Sequence, residues 1–83
     1  MAFDVEFSEL AAAKFRKLDE PVRKRIGAAL LHAAENPGSH FKRLTGVQAY
    51  TLRIGDLRGI ADIDVERQTL YVLTLGHRST VYG

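Results

Sequence analysis

The chain has 83 residues, a formal net charge of +2 and a 46% share of hydrophobic residues, so we expect a single folded domain covering residues 1–83. It contains no cysteine, which excludes a disulfide framework and a thiolate nucleophile. No apolar run approaches the roughly 20 residues that cross a bilayer, and the opening residues lack the layout of a secretion signal. We therefore expect a cytoplasmic location.

The excess positive charge lies in the second half of the chain. Residues 1–39 contain six basic and six acidic side chains, whereas residues 40–83 contain six basic and four acidic ones. Five of those last six basic residues are arginines. This distribution mildly favours an anionic ligand near the second half.

The first two predicted elements are a short strand and a helix. Apolar residues alternate with acidic ones over residues 3–7, which predicts a strand with one buried face. Ser8 is a suitable N-cap for the following helix. The apolar residues at helical spacing in that helix are Ala11, Phe15 and Leu18.

A second helix is predicted to follow after a short break. Proline is favoured in a first helical turn, so Asp19-Glu20-Pro21 predicts an end and a restart. Asn36-Pro37-Gly38 ends the second helix. The short connection predicts an antiparallel helical hairpin. The apolar residues of the second helix are Val22, Ile26, Ala29, Leu30 and Ala33.

The remaining pattern is that of strands. Residues 50–54 and 57–63 flank Gly55-Asp56, which suits a two-residue turn of type II′ or I′. Residues 68–75 are apolar on both faces, as in an interior strand, and residues 79–82 could add a short last strand. The predicted fold class is α+β: an N-terminal strand, then an antiparallel two-helix hairpin packed on one face of an antiparallel sheet.

The predicted hairpin places Arg53 directly opposite Arg58. The alternate positions are apolar or nearly so and belong against the helices, which leaves both arginines on the other side of the sheet, the open face. Like charges with Cβ atoms about 5 Å apart repel. Asp62 could neutralise them, or the pair could bind an anion, and solvated surface arginines fit the pattern equally well. The residues expected against the helices are Tyr50, Leu52, Ile54, Leu57, Gly59 and Ala61.

A third arginine, Arg78, follows the last predicted strand. If alternate residues of that strand face the helices, Thr74 and Arg78 share the open face, unless a bulge at Gly76 changes the alternation. The residues that this register places against the helices are Tyr71, Leu73 and Leu75.

Two further features have ordinary structural readings. The three histidines, His32, His40 and His77, do not have the spacing of metal ligands, so no metal site is expected. The basic run Arg23-Lys24-Arg25 is best read as a solvated helix face, with nucleic-acid contact as the less favoured alternative.

Taken in order, these positions resemble the RelE/ParE toxin superfamily, and in particular its RelE-type mRNA interferases. The resemblance runs through nearly the whole chain. The segments that carry it are the opening strand, Lys17-Leu18-Asp19, Arg25-Ile26, Asn36-Pro37, Leu44-Thr45-Gly46, the run from Tyr50 to Arg58, Gly76-His77-Arg78 and Val81-Tyr82.

The resemblance implies a toxin of a type II toxin–antitoxin system, held inactive by a cognate antitoxin in a hetero-oligomer. It implies entry into the ribosomal A site and cleavage of mRNA without a metal or another cofactor, by attack of the RNA's 2′-hydroxyl on the adjacent phosphate. The positions that match the family's catalytic residues are Arg53, Arg58, Arg78 and Tyr82.

The chemistry of these side chains suggests which of them would stabilise charge and which would transfer a proton. Guanidinium groups stabilise a phosphorane but cannot readily act as bases, so proton transfer needs another group. Tyrosine has a reference pKa of about 10, which neighbouring cations lower, and histidine changes its charge near neutrality. Tyr82 and His77 are therefore competing candidates for the acid or base.

Two other functions remain open on the sequence alone. One is a non-enzymatic inhibitor of DNA gyrase, like the ParE branch of the superfamily. The other is a catalytically weakened homologue that acts mainly by binding its antitoxin.

Overall fold

The computed structural model describes residues 2–40, 42–43 and 49–77. Its elements follow in the order β1 (Asp4–Phe7), α1 (Glu9–Arg16), α2 (Glu20–Glu35), α3 (Pro37–His40), β2 (Lys42–Arg43), β3 (Tyr50–Ile54), β4 (Leu57–Asp64) and β5 (Thr69–His77). The possible last strand at residues 79–82 lies outside the described residues. Among the helices described, none is long and apolar enough to cross a membrane.

The strands form one sheet in the order β1-β5-β4-β3-β2. The pairs β3–β4 and β4–β5 are antiparallel, as predicted, and β5 is an interior strand. The short strand β2, which the sequence did not predict, is antiparallel to β3. β1, however, joins β5 in parallel. The sheet is therefore mixed rather than wholly antiparallel, because no tight turn joins β1 to its neighbour and the long connection through the helices permits a parallel pair.

The helices cover one face of the sheet, and the core lies between the two layers. The predicted apolar stripes of α1 and α2 are confirmed, since their residues are buried or packed against the buried cluster. Ile26 of α2 lies in that cluster with Leu70 and Val72 of β5, and these are the largest fully buried side chains. The buried apolar residues are Ala11, Ile26, Leu30, Ala33, Ala34, Leu52, Ile54, Leu57, Ala61, Leu70, Val72 and Leu75.

A β-bulge interrupts the pairing of β4 with β5. Ile60 pairs with Thr74 and the next residue, Ala61, pairs with Val72, so Leu73 has no partner across the pair. An extra residue on one strand reverses the alternation of side chains beyond it. Even-numbered residues of β5 consequently face the helices before the bulge, and odd-numbered residues face them after it.

This bulge corrects the predicted orientation of β5. Leu70 and Val72 are buried on one side of it and Leu75 on the other, so Tyr71 lies on the open face with 41% of its surface exposed. The prediction that Tyr71 packs in the core is therefore wrong. Gly76 pairs with Arg58 in regular register, so the bulge is not at the glycine.

Ser8 connects the start of α1 to the bulge. Its Oγ accepts a hydrogen bond from the backbone N–H of Ala11 at 3.0 Å, as a helix N-cap does. The same hydroxyl donates to the carbonyl oxygen of Leu73 at 2.7 Å. One side chain thus provides a hydrogen-bond partner both for a backbone N–H at the start of α1 and for a backbone carbonyl at the bulge.

We expect Ser8→Ala to lower the free energy of unfolding by about 1–2 kcal/mol, because the helix loses its cap and the Leu73 carbonyl loses its donor. Urea denaturation measures this change. Ser8→Thr keeps the hydroxyl and should lie closer to the wild type. Equal stability of the Ala and Thr variants would contradict this role for the hydroxyl.

Candidate functional site

The candidate site is built on the β3–β4 hairpin, whose register is the predicted one. Arg53 pairs with Arg58 and Ile54 with Leu57, across the Gly55-Asp56 turn. Of the two turn residues only Gly55 has a positive φ, of 60°, which is the pattern of a type II′ turn. This turn matches the twist of the strands, so the two arginines are held side by side.

Both arginines lie on the open face, as predicted. Leu52, Ile54 and Leu57 are buried against the helices, whereas Arg53 is exposed and Arg58 is partly buried. The next residue across the sheet from Arg58 is Gly76 of β5. Because glycine has no side chain, β5 places no side chain of its own beside Arg58 at this position.

The turn itself holds the guanidinium group of Arg58. Its Nη1 donates to the carbonyl oxygens of Gly55 at 3.0 Å and Leu57 at 2.9 Å. These carbonyls offset part of the repulsion from Arg53. The edge formed by Nε and Nη2 makes no hydrogen bond within the described residues, and that edge can bind two oxygens of one anion. Sequence reasoning missed this arrangement, for which the pattern carries no signal.

Among the described residues, no carboxylate forms an ion pair with Arg53 or Arg58. The ion pairs found there include Lys24–Glu20 at 3.2 Å and Arg67–Asp64 at 3.9 Å. Asp62, the candidate neutraliser, is exposed and lies four residues along β4 from Arg58, about 13 Å at the usual rise of a strand. Of the three possibilities left open by the sequence, the one in which Asp62 neutralises the pair is thereby removed, and an anion site and solvated arginines remain.

The charges on the open face are separated along the strands. The arginine pair lies at the hairpin end, whereas the register places two rows of acidic residues at the other end. The first row contains Glu6, Tyr71 and Asp62, and the second contains Asp4, Thr69 and Asp64. An anion is therefore attracted to the hairpin end of this face.

His77 lies apart from the arginine pair. It is the residue after Gly76, and it pairs with Leu57, which is buried on the helix side. It lines a cleft on that side together with Arg25 of α2. The described residues thus bring Arg53 and Arg58 together but not His77, while Arg78 and Tyr82 lie outside them.

The basic run of α2 divides into three different environments. Nη1 of Arg23 donates to the carbonyl oxygen of Leu18 and so ties α2 to the end of α1. Lys24 is exposed and pairs with Glu20. Nη2 of Arg25 lies 3.9 Å from where a Cβ on Gly55 would be, so this side chain reaches the hairpin turn. Lys24 and Arg25 are therefore exposed, as predicted for a solvated helix face, whereas Arg23 is half-buried and hydrogen-bonded to Leu18.

The two arginines should differ in their effect on stability. Arg58→Gln removes two hydrogen bonds to the turn and should lower the free energy of unfolding by about 1 kcal/mol. Arg53→Gln removes only a repelling charge and should leave stability unchanged or slightly raised, with the increase fading at high salt. Chemical denaturation at low and high KCl measures both effects, and an equal loss in the two variants would count against the anchoring of Arg58.

The sequence matches a protein-family model over nearly its whole length. The model described as "ParE toxin of type II toxin-antitoxin system, parDE" matches residues 5–82. No curated protein sequence is significantly similar to the chain.

Several solved structures share the fold. A chain of the RelBE2 toxin–antitoxin complex from Mycobacterium tuberculosis has a TM-score of 0.87 and 22% identity, over 95% of this chain and 94% of that one. The isolated RelE toxin of E. coli has a TM-score of 0.79 and 26% identity, over 98% and 92% of the two chains. The intact E. coli RelBE complex gives a TM-score of 0.77 and 26% identity, over 92% and 96%. These similarities confirm the predicted fold class.

Proposed function

Because this chain belongs to the family of ParE toxins of type II toxin–antitoxin systems, we propose that it acts by cutting mRNA in the ribosomal A site. The observation that carries the proposal is the pair of arginines opposite each other on the open face, neither of them joined to a carboxylate within the described residues. Similarity to the isolated RelE toxin of E. coli supports the RelE type of activity.

In the proposed reaction the arginines stabilise charge rather than move protons. The 2′-hydroxyl of the RNA gives up its proton as its oxygen attacks the adjacent phosphorus, a cyclic phosphate forms, and the 5′-oxygen of the next nucleotide leaves and takes up a proton. The free Nε and Nη2 edge of Arg58 would bind two phosphorane oxygens, and Arg53 and Arg78 would add positive charge beside them. A guanidinium cannot readily accept the 2′-hydroxyl proton, so another group has to remove it.

We assign that proton transfer to Tyr82. Its competitor, His77, pairs with Leu57 and lines the cleft on the helix side of the sheet. The arginine pair lies on the opposite face of the sheet. A general base has to lie within hydrogen-bond distance of the proton that it takes, directly or through one water.

Single substitutions of the three arginines test this function. Arg53→Ala, Arg58→Ala and Arg78→Ala should each lower the rate of mRNA cleavage on purified ribosomes by roughly 100- to 1,000-fold, as expected when one donor to the developing charge is removed. Arg67→Ala is the matched control, since Arg67 is an exposed cation at the far end of β4, paired with Asp64. Circular dichroism confirms that each variant is folded. Cleavage at the wild-type rate by all three would exclude the proposed site.

The choice between the two proton-transfer candidates has a separate test. Tyr82→Phe removes only the hydroxyl and should lower the cleavage rate by about 100-fold or more, whereas His77→Gln should remain near the wild type. The pH dependence of the rate, measured for both variants, shows which residue titrates. The reverse pattern would transfer the role to His77.

We also propose a cognate antitoxin as the protein's partner in the cytoplasm, in a hetero-oligomer. The M. tuberculosis and E. coli complexes that resemble this chain each contain a toxin and its antitoxin. An antitoxin that covers the open face at the hairpin would mask the arginine pair from RNA.

A non-enzymatic inhibitor of DNA gyrase is the second candidate, and the observation that favours it is the match to the ParE family model. Induction of the toxin in cells, with mapping of both mRNA ends and DNA breaks, separates the two. Codon-phased mRNA cuts are expected. Double-strand DNA breaks with intact mRNA would instead establish the gyrase target, and neither lesion would indicate a weakened homologue.

A further inference from the structure

A second charged surface lies behind the hairpin, on the helix side. A cleft of about 240 Å³ opens between the α1–α2 connection, the hairpin turn and the end of β5. Leu18, Val22 and Leu57 give it an apolar floor. Its basic residues include Lys17 from the end of α1 and Arg25 from α2.

Neither of these two cations forms an ion pair with a carboxylate in the part of the chain that the structure describes. Asp19 and Asp56 line the same cleft, yet none of the ion pairs among the described residues includes Lys17 or Arg25. Arg25 extends to the hairpin turn, where its Nη2 lies 3.9 Å from the Cβ position of Gly55. Two cations, one just after the end of α1 and one on α2, therefore line one cleft, and neither side chain donates a hydrogen bond within the described part of the chain.

The hairpin turn consequently has basic side chains on both sides, although on the helix side Asp19 and Asp56 line the cleft as well. Arg53 and Arg58 lie on the open face, and Lys17 and Arg25 lie at the cleft on the helix side. An isolated anion site needs charge on one side only. A polyanion that passes around the end of the hairpin would contact both.

We propose that this cleft binds a second RNA phosphate, so that the hairpin end inserts between two phosphates of the bound RNA. The proposal rests on the function proposed above and adds a binding site away from the reacting phosphate. Lys17 and Arg25 bind the phosphate, and the apolar floor accepts the attached sugar or base. Asp19 and Asp56 limit the affinity, because they place negative charge beside the bound phosphate.

The test compares two double variants with the same change in charge. The cleft variant is Lys17→Ala with Arg25→Ala. The control, Arg16→Ala with Lys24→Ala, removes the preceding cation on each of the same helices, and neither residue lines the cleft. The probes are purified ribosomes without mRNA and a single-stranded RNA oligonucleotide, and affinity is measured over a range of KCl concentrations.

We expect the cleft variant to lose roughly 10- to 100-fold in affinity for at least one RNA probe, and its slope of log affinity against log KCl to fall by about 2, one for each phosphate contact. The control should keep most of the wild-type affinity and slope. A loss confined to ribosomes identifies ribosomal RNA as the source of the phosphate, and a loss on the oligonucleotide identifies the message.

A second double variant is expected to gain RNA affinity, which a loss of folding could not produce. Asp19→Asn with Asp56→Asn removes negative charge from the cleft and should raise RNA affinity several-fold. The Asp19 side chain makes no capping hydrogen bond, so this change spares the start of α2. A neutral or negative effect of the Asn pair would contradict phosphate binding at the cleft.

Equal affinities of the cleft and control variants, or no binding of the wild type to either RNA, would overturn the inference. A loss of antitoxin affinity without a loss of RNA affinity would make the cleft a peptide site. A wild type that binds ribosomes but leaves mRNA intact contradicts the nuclease function alone, because the comparison of binding still holds.

Discussion

The register of the β3–β4 hairpin is the constraint on which the rest of the molecule depends. Placing two guanidinium groups opposite each other is unfavourable. The apolar residues on the reverse side of the hairpin nevertheless prevent a change of register that would separate them. A slip of one residue would turn Leu52, Ile54 and Leu57 to water and both arginines into the core. The burial that holds the hairpin on the helices therefore also maintains the repulsion on the open face.

The bulge at Leu73 determines which residues of β5 lie on the helix side of the sheet and which lie on the open face. It allows β5 to bury Leu70 and Val72 at one end and Leu75 at the other, although these residues are not on a single alternating series. It also brings Tyr71 out among the acidic residues and sends His77 to the helix side. Ser8 satisfies the backbone at this irregular point.

The sequence predicted those features that depend on neighbouring residues. The arginine pairing follows from the chemistry of the Gly55-Asp56 turn, and the helix stripes follow from spacing. The direction of β1 and the bulge in β5 are set by contacts between distant segments, so alternation alone placed Tyr71 on the wrong side. The hydrogen bonds of Arg58 and the reach of Arg25 depend on side-chain conformation, which a pattern of residue types does not encode.

The separation of charge along the open face has a consequence for how a ligand arrives. With the acidic rows at one end and the arginines at the other, this face is an electric dipole whose axis follows the strands. The field of a polyanion exerts a torque on such a molecule before contact and turns the hairpin toward it. A larger share of encounters then occurs with the hairpin facing the ligand. Dissolved salt weakens this alignment because it shortens the range of the field.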